Sequence, residues 1–188
     1  MTLLLGECSN GELAALALTG RQTAFSELLD RHRASVFRLV RGSTGDDDVA
    51  LDVTQEAFIA AFAALKSYDG ARPFKTWMAR IALNKCRDWA RRRKVRRFFS
   101  FALPIEAAAT VSDESVPDDQ QISDRAELAR VREAIARLPP AIREALILHT
   151  IEGLTQIETA EILGISEKAV ETRIYRARKV LQANAPSK

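Results

Sequence analysis

GLTQIETAEILGISEKAVETRIYRARKVL (residues 153–181) decides the reading of this 188-residue chain. Thr155 and Glu158 have the capping-box spacing, so each can satisfy a free amide at the start of a helix. Gly164 supplies the left-handed position that ends that helix, and Ser166 is a good cap for the next. In the second helix Val170, Ile174, Ala177 and Leu181 recur at helical spacing and predict a buried stripe. Glu167, Lys168, Glu171, Thr172, Arg173, Arg176 and Lys179 then lie on or near the open face. A short helix, a glycine-containing turn and a second helix with polar groups at its exposed start fit a major groove. The competing reading is a helical hairpin with a solvated charged face. DNA binding is favoured because it gives those cations a partner.

Charge is distributed in blocks along the rest of the chain. Net charge is only +3, yet Lys85, Arg87, Arg91, Arg92, Arg93, Lys94, Arg96 and Arg97 cluster with Asp88 as the one acid among them. Acids gather at Asp46, Asp47, Asp48, Asp52 and Glu56, and again between 106 and 127. Such polarity suggests two kinds of partner, one anionic and one not. Hydrophobic residues make up 47% and charged residues 28%, enough for a packed core and too apolar for wholesale disorder. Cys8 and Cys86 are far apart, with no CxxC and no histidine pair, so neither a disulfide framework nor a zinc site follows. A reducing cytoplasm is the expected compartment. The first residues lack a basic lead and are too interrupted for a signal peptide or membrane span. No nucleophile, metal-ligand or phosphate-loop spacing appears, which argues against an enzyme, and no cofactor or small-molecule substrate is implied. His32 reads as a polar helix residue rather than a catalyst.

The coarse pattern is all-helical, as two small domains. Helices are expected near 10–18, 23–41, 46–66 and 73–93, then at 124–137, 140–151, 156–163 and 167–183. The Gly45–Asp48 run suits a helix start, where carboxylates complement the dipole. In the helix that follows, Leu51, Phe58, Ala61, Phe62 and Leu65 are the expected core stripe. Asp52, Gln55, Glu56 and Ile59 fall on a neighbouring face. Pro73 can occupy the first turn of the fourth helix. Residues 100–123 read as an acidic irregular linker. The implied division is an extension at 1–20, a domain at 21–97, a linker at 98–123, a helix-turn-helix domain at 124–184 and a tail at 185–188.

The fourth helix and the loop before it interleave aromatics with cations. Tyr68, Phe74, Trp77 and Trp89 alternate with Arg72, Lys75, Arg80, Lys85, Arg87 and Arg91. Cations neutralise phosphates, and exposed rings stack unpaired bases at about 1–3 kcal/mol each. Phe74 and Trp77 read more readily as core. Asn84 and Asp88 share a face and can hydrogen-bond base edges. Phe98, Phe99 and Phe101 either continue the helix and pack on the first domain, which is favoured, or form an exposed patch for an inhibitory partner.

Four ordered blocks, DVTQEAFIAAFAAL (52–65), RPFKTWMARIALNKCRDWARRR (72–93), RLPPAIREALILHTIEGLTQIETAEILGIS (137–166) and KAVETRIYRARKVL (168–181), together resemble the extracytoplasmic-function, or group IV, sigma factors of the sigma-70 family. The resemblance implies a sigma region 2 bundle and a sigma region 4 helix-turn-helix domain. It implies that Asp52, Gln55, Glu56 and Ile59 bind the β′ clamp helices of core RNA polymerase, with the β flap a further contact. It assigns Tyr68, Arg72, Lys75, Trp77, Arg80, Asn84, Lys85, Asp88, Arg91 and Arg92 to recognition and melting of a "−10" promoter element. Thr155, Ser166, Lys168, Glu171, Thr172, Arg173, Arg176 and Arg178 would bind the "−35" element. Linker acids Asp113, Glu114, Asp118 and Asp119 would mimic nucleic-acid charge in the polymerase channel. An anti-sigma factor, often membrane-anchored, is a further implied partner. Lys168 and Glu171 depart from the usual glycine and basic residue, so base preference does not carry over. The alternative is a stand-alone helix-turn-helix regulator, which would need neither the acidic face at 52–56 nor the aromatic-basic helix.

Overall fold

A computed structural model describes residues 4–102 and 119–184, and within them the side chains outside 100–126. Every regular element described is helical. The helices are α1 (Asn10–Leu18), α2 (Gln22–Thr44), α3 (Asp47–Ala64), α4 (Phe74–Ala102), α5 (Asp119–Arg137), α6 (Pro140–Leu146), α7 (Gln156–Leu163) and α8 (Glu167–Ala183). A π-helical turn, Ile147–Ile151, extends α6.

Local chemistry sets most boundaries. Ser9 and Glu12 form a capping box at α1, the Ser9 side chain accepting from Glu12 N–H and the Glu12 carboxylate from Ser9 N–H. Gly45 ends α2 with φ 75°, a left-handed conformation that costs an L side chain free energy. One residue on, the Asp46 carboxylate accepts from Val49 N–H at 3.0 Å and starts α3. The α2–α3 corner therefore needs no longer loop. Arg31 anchors the N-terminal segment on α2 by donating to the carbonyls of Leu5, Gly6 and Cys8.

Helices α1–α4 pack around Leu13, Leu28, Leu39, Val40, Val53, Phe58, Leu65, Phe74, Met78 and Leu83. The expected core stripe of α3 holds for Phe58, Ala61 and Leu65, which are buried, and fails for two residues. Leu51 is 54% and Phe62 51% exposed, while Ala50, Val53, Thr54, Ala57, Phe58 and Ala61 are buried. Small residues turn inward because α3 lies close to both α2 and α4, leaving little room for large side chains on that side. Pro73 precedes α4 as its cap, its carbonyl accepting from Thr76 N–H, rather than entering the first turn.

Helix α4 runs on to Ala102, well beyond the expected end near 93. The expected continuation is therefore present, but the favoured packing is absent. Phe98 is 77% and Phe99 63% exposed, and they touch each other edge-on with ring centres 5.9 Å apart. Helix α5 starts at Asp119, so helix reaches into the expected linker from both ends. Asp113, Glu114 and Asp118 lie outside the described residues, as does the side chain of Phe101.

The second half does not form a separate core of comparable size. Its own clusters are small: Ala145, Ala160, Val170 and Ile174 in one, Leu138, Leu146 and Ala177 in the other. Ile147, Leu148, Leu154 and Ile162 instead join the main cluster of the first half. Two expected domains are thus packed as one body, in a closed arrangement.

Leu28 is fully buried. Leu28→Ala is expected to cost about 2–5 kcal/mol of unfolding free energy in urea denaturation followed by circular dichroism. A loss below about 1 kcal/mol would show that α2 does not carry the core.

Candidate nucleic-acid interface

The helix-turn-helix forms as its sequence dictates. Thr155 Oγ1 accepts from Glu158 N–H at 3.1 Å, and the Glu158 carboxylate accepts from Thr155 N–H at 2.8 Å. These bonds, the Thr155 amide foremost, hold the Glu158 carboxyl below its ordinary range. Gly164 caps α7 with φ 67°, and Ser166 Oγ accepts from Ala169 N–H to start α8. Val170, Ile174 and Ala177 are buried and Leu181 is half-buried. The opposite side of α8 bears a shallow groove lined by Ser166, Lys168, Thr172, Arg173 and Arg176. Lys168 pairs with Glu171 at 2.6 Å, and Arg178 is exposed further along. Five of the expected groove-reading residues, Ser166, Lys168, Thr172, Arg173 and Arg176, therefore share one accessible surface, whereas Thr155 and Arg178 do not line it.

The loop and first turns of α4 form an aromatic cluster. Tyr68, Phe74 and Trp77 lie with ring centres 5.1–5.3 Å apart. Phe74 is core, as expected, whereas Tyr68 and Trp77 are half-buried at its edge. Tyr68 Oη donates to the Arg72 carbonyl at 2.6 Å, closing the loop on itself. Partial burial, with Asp69 nearby, raises the Tyr68 phenol above its ordinary range.

The polar residues of α4 and of the loop before it fall into two sets. Asn84, Lys85, Asp88, Arg91, Arg92 and Arg93 lie towards the outer half, with Asp88 paired to Arg91. An acid amid cations is thereby explained as the partner of an arginine. Asn84 Oδ1 lies 3.5 Å from the guanidinium of Arg87. Arg72, Lys75, Arg80 and Arg87 instead meet groups of the second half. Arg87 makes a two-pronged pair with Glu144, at 3.0 and 2.7 Å, and this raises the arginine's affinity for its proton. Arg72 pairs with the Glu161 carboxylate, and Arg80 donates to the Glu161 carbonyl at 2.9 Å. Thr76 Oγ1 contacts Glu158 at 3.3 Å. The Lys75 ammonium donates to the Glu152 carbonyl and lies 3.7 Å from its carboxylate.

Glu152 is the most buried charge in the seam, with 1% of its side chain exposed. Ser35 and Arg38 of α2 complete its shell, Arg38 at 3.2 and 3.3 Å. An acid so placed requires partners, because losing one from a buried pair costs about 3–5 kcal/mol. Ser35, Arg38, Glu144 and Glu152 were not marked by the sequence. The available signal was a lone acid closing the apolar run ILHTIE (147–152). His32 and Lys75 line a small cavity beside Glu152. Burial first, then Arg31 and Lys75, lowers the His32 pKa, and its Nε2 has no partner. His32 therefore lies in the seam, on the side of α2 that faces Glu152.

Asp52, Gln55 and Ile59 are exposed on α3, and Glu56 is partly so. Ile59 is 71% exposed and, with Leu51 and Phe62, makes an apolar strip beside the acids. Phe62 rests edge-on against Phe25, ring centres 4.8 Å apart. Glu56 also pairs with Arg92 of α4 at 3.0 Å, linking residues expected to serve different partners.

Cys8 and Cys86 are both free and buried. Burial pushes the Cys86 thiol up to about 12, against a smaller opposing effect of the Ser43 hydroxyl. Among the described residues no group of acids, histidines and cysteines is arranged to hold a metal ion, and no helix is long and apolar enough to cross a membrane.

The comparisons agree with this geometry. A family model for "Sigma-70 region 2" matches residues 28–96, and one for "Sigma-70, region 4" matches residues 128–181. The chain is 41% identical to RNA polymerase sigma factor CnrH of Cupriavidus metallidurans, over 91% of each chain. It is 34% identical to ECF RNA polymerase sigma factor SigW of Bacillus subtilis, over 87% of this chain and 89% of that one. A solved structure of CnrH in complex with the cytosolic domain of CnrY superimposes with a TM-score of 0.68 at 35% identity, covering 93% of this chain and 95% of that one.

Cys86 in the native protein is expected to react with iodoacetamide at pH 8 on the order of a thousandfold more slowly than an exposed thiol, read by mass spectrometry. Fast alkylation would refute the burial of this thiol.

Proposed function

This chain is an extracytoplasmic-function RNA polymerase sigma factor of the sigma-70 family, and we propose how its residues divide that work. As an alternative sigma factor it has no catalytic chemistry of its own; it binds core RNA polymerase and directs initiation at promoters.

The outer face of α3 is the polymerase contact. One observation carries this reading: Leu51, Ile59 and Phe62 are exposed beside Asp52, Gln55 and Glu56 on a helix whose opposite side is fully packed. Large apolar groups displayed next to acids on a rigid helix suit a partner with a basic rim and apolar centre. Region 2 then spans about 21–97 and region 4 about 124–184. The region 4 groove on α8 takes the "−35" duplex. The Tyr68–Arg72 loop and α4 take the separated "−10" strand, with Tyr68 and Trp77 beside the bases and Lys85, Arg91 and Arg92 on phosphates. Glu171 can accept from a cytosine amino group, with Lys168 orienting it.

Control by an anti-sigma factor is supported by the CnrH structure, which contains a cytosolic domain of CnrY. The exposed Phe98–Phe99 pair fits a partner of that kind, since an apolar patch on an otherwise basic helix has no use in phosphate binding. The protein works in the cytoplasm, and a membrane-attached partner would hold it at the inner membrane.

Run-off transcription with purified core polymerase on fragments of the source genome tests the whole reading. Transcripts starting a short distance downstream of a shared paired motif are expected. Tight duplex binding with no transcript would favour the stand-alone regulator. Asp52→Ala with Glu56→Ala is expected to weaken core-polymerase binding about tenfold or more, while duplex affinity stays unchanged. Unaltered polymerase binding would overturn the α3 assignment. Arg176→Ala should weaken promoter binding and lower the salt slope by about one unit, as loss of one phosphate contact does. An unchanged slope would remove Arg176 from the phosphate contacts.

A further inference from the structure

A cationic cleft lies apart from the α8 groove and from the α4 residues assigned to promoter contact. Trp89, Ala90, Arg93, Lys94 and Arg97 fall on one face of α4 at helical spacing and form one wall. Ser43 and Thr44 at the end of α2, Ala136 of α5 and Arg143 of α6 form the others. The cleft encloses about 370 Å³, within the size range of small-ligand sites.

Among the described residues, four cations line the cleft and no carboxylate does. Arg93 and Arg97 stand one turn apart, a like-charge spacing that destabilises a helix when no anion is near. The Arg93 guanidinium lies over the Trp89 ring, 5.3 Å from its centre, and is thereby oriented at the rim. Lys94 is exposed and has no ion partner among the described residues. Arg143 comes from the other half of the chain. Its guanidinium donates to the Ala136 carbonyl at 2.6 Å, while its Nε is buried with no partner. Burial makes this arginine hold its proton less firmly than usual, an effect that the neighbouring Glu144 opposes only in part. A buried donor without an acceptor is unfavourable, and an anion entering beside Arg143 supplies the acceptor. The Ser43 and Thr44 hydroxyls donate to the carbonyls of Leu39 and Val40, so the grip on an anion comes from the cations.

We propose that this cleft binds a small polyphosphate, inorganic or carried on a nucleotide, between Arg143 on one side and Arg93, Lys94 and Arg97 on the other. A chain of phosphates offers several charged acceptors to cations that converge from two helices. Guanidinium groups take phosphate oxygens in pairs, and Lys94 adds a mobile point charge. The accessible part of Trp89 gives an apolar surface against which a nucleotide can place its base. A concave site walled by α2, α4, α5 and α6 suits a compact anion better than a rod-like duplex. The bound anion touches both halves and stabilises the folded chain by mass action.

Isothermal titration calorimetry of the full-length chain tests this in about 0.1 M salt, where charges outside the cleft are screened. The titrants are sodium tripolyphosphate, ATP and adenosine. Tripolyphosphate and ATP are each expected to bind at one site per chain, and adenosine not to bind. Arg93→Gln with Lys94→Gln, two exposed changes that leave the core intact, should weaken tripolyphosphate binding about tenfold or more. Arg143→Gln should do the same, with circular dichroism checking that the variant is folded. Arg96→Gln with Arg130→Gln removes equal charge from exposed positions outside the cleft and should change affinity less than about twofold. Equal weakening by this pair would reveal diffuse attraction to a basic surface and overturn the site. No saturable binding of tripolyphosphate at millimolar concentration, or adenosine binding as tightly as ATP, would also overturn it. Equal affinity for tripolyphosphate and ATP assigns the cleft to the phosphates alone, whereas about tenfold tighter ATP assigns it to a nucleotide. A labelled oligothymidine strand, measured by fluorescence anisotropy, covers the remaining possibility. If Arg93→Gln with Lys94→Gln weakens the strand as much as tripolyphosphate, the cleft belongs to the DNA path and the small-ligand site is refuted.

Discussion

Glu152 carries a negative charge with almost none of its side chain exposed, and the arrangement of the two halves is what satisfies it. Its shell comes from Ser35 and Arg38 on α2 and Lys75 on α4, none of them in its own half. A buried carboxylate without partners would be prohibitively costly, whereas with them it fixes one relative placement of the halves. The apolar residues Ile147, Leu148 and Leu154 supply adhesion but little direction. The charge supplies the register.

The same constraint explains the uneven cores. The first half buries Leu28, Phe58, Phe74 and Met78 among four helices and resembles an ordinary small bundle. The second half has few large side chains facing inward, and its clusters rest on Val170, Ile174 and Leu146. Small units bury too little surface to be robust alone, so the second half gains from leaning on the first. That contact also covers Lys75, Arg80 and Arg87 of α4. Stability of the closed form and access to α4 are therefore opposed.

Helix α3 shows how one element serves two masters. Its inward side is built of alanine, valine, threonine and one phenylalanine, which lets α2 and α4 approach closely. Its larger apolar residues, Leu51, Ile59 and Phe62, are displaced outwards beside Asp52 and Gln55. The Glu56–Arg92 pair then ties this outer face to the basic half of α4. A partner that claims Glu56 would release Arg92, although an exposed pair of this kind contributes only about 0–1 kcal/mol.

The amino-acid sequence by itself determined the all-helical class, most helix starts and stops, and the helix-turn-helix. Those features depend on local chemistry: capping boxes at Ser9–Glu12 and Thr155–Glu158, carboxylates at Asp46, and left-handed glycines at 45 and 164. The buried stripe of α8 was equally legible, because one apolar stripe faces one charged face. In α3 the pattern was ambiguous, since apolar residues occur nearly all round and periodicity cannot say which stripe faces the core. That choice put Leu51 and Phe62 outside. The length of α4 and the exposure of Phe98 and Phe99 were likewise tertiary outcomes, set by where neighbouring helices end. Only the folded chain could bring Glu144 to Arg87 or Glu152 to Arg38. Such pairs join residues distant along the chain, and no local propensity or spacing records which surfaces will meet.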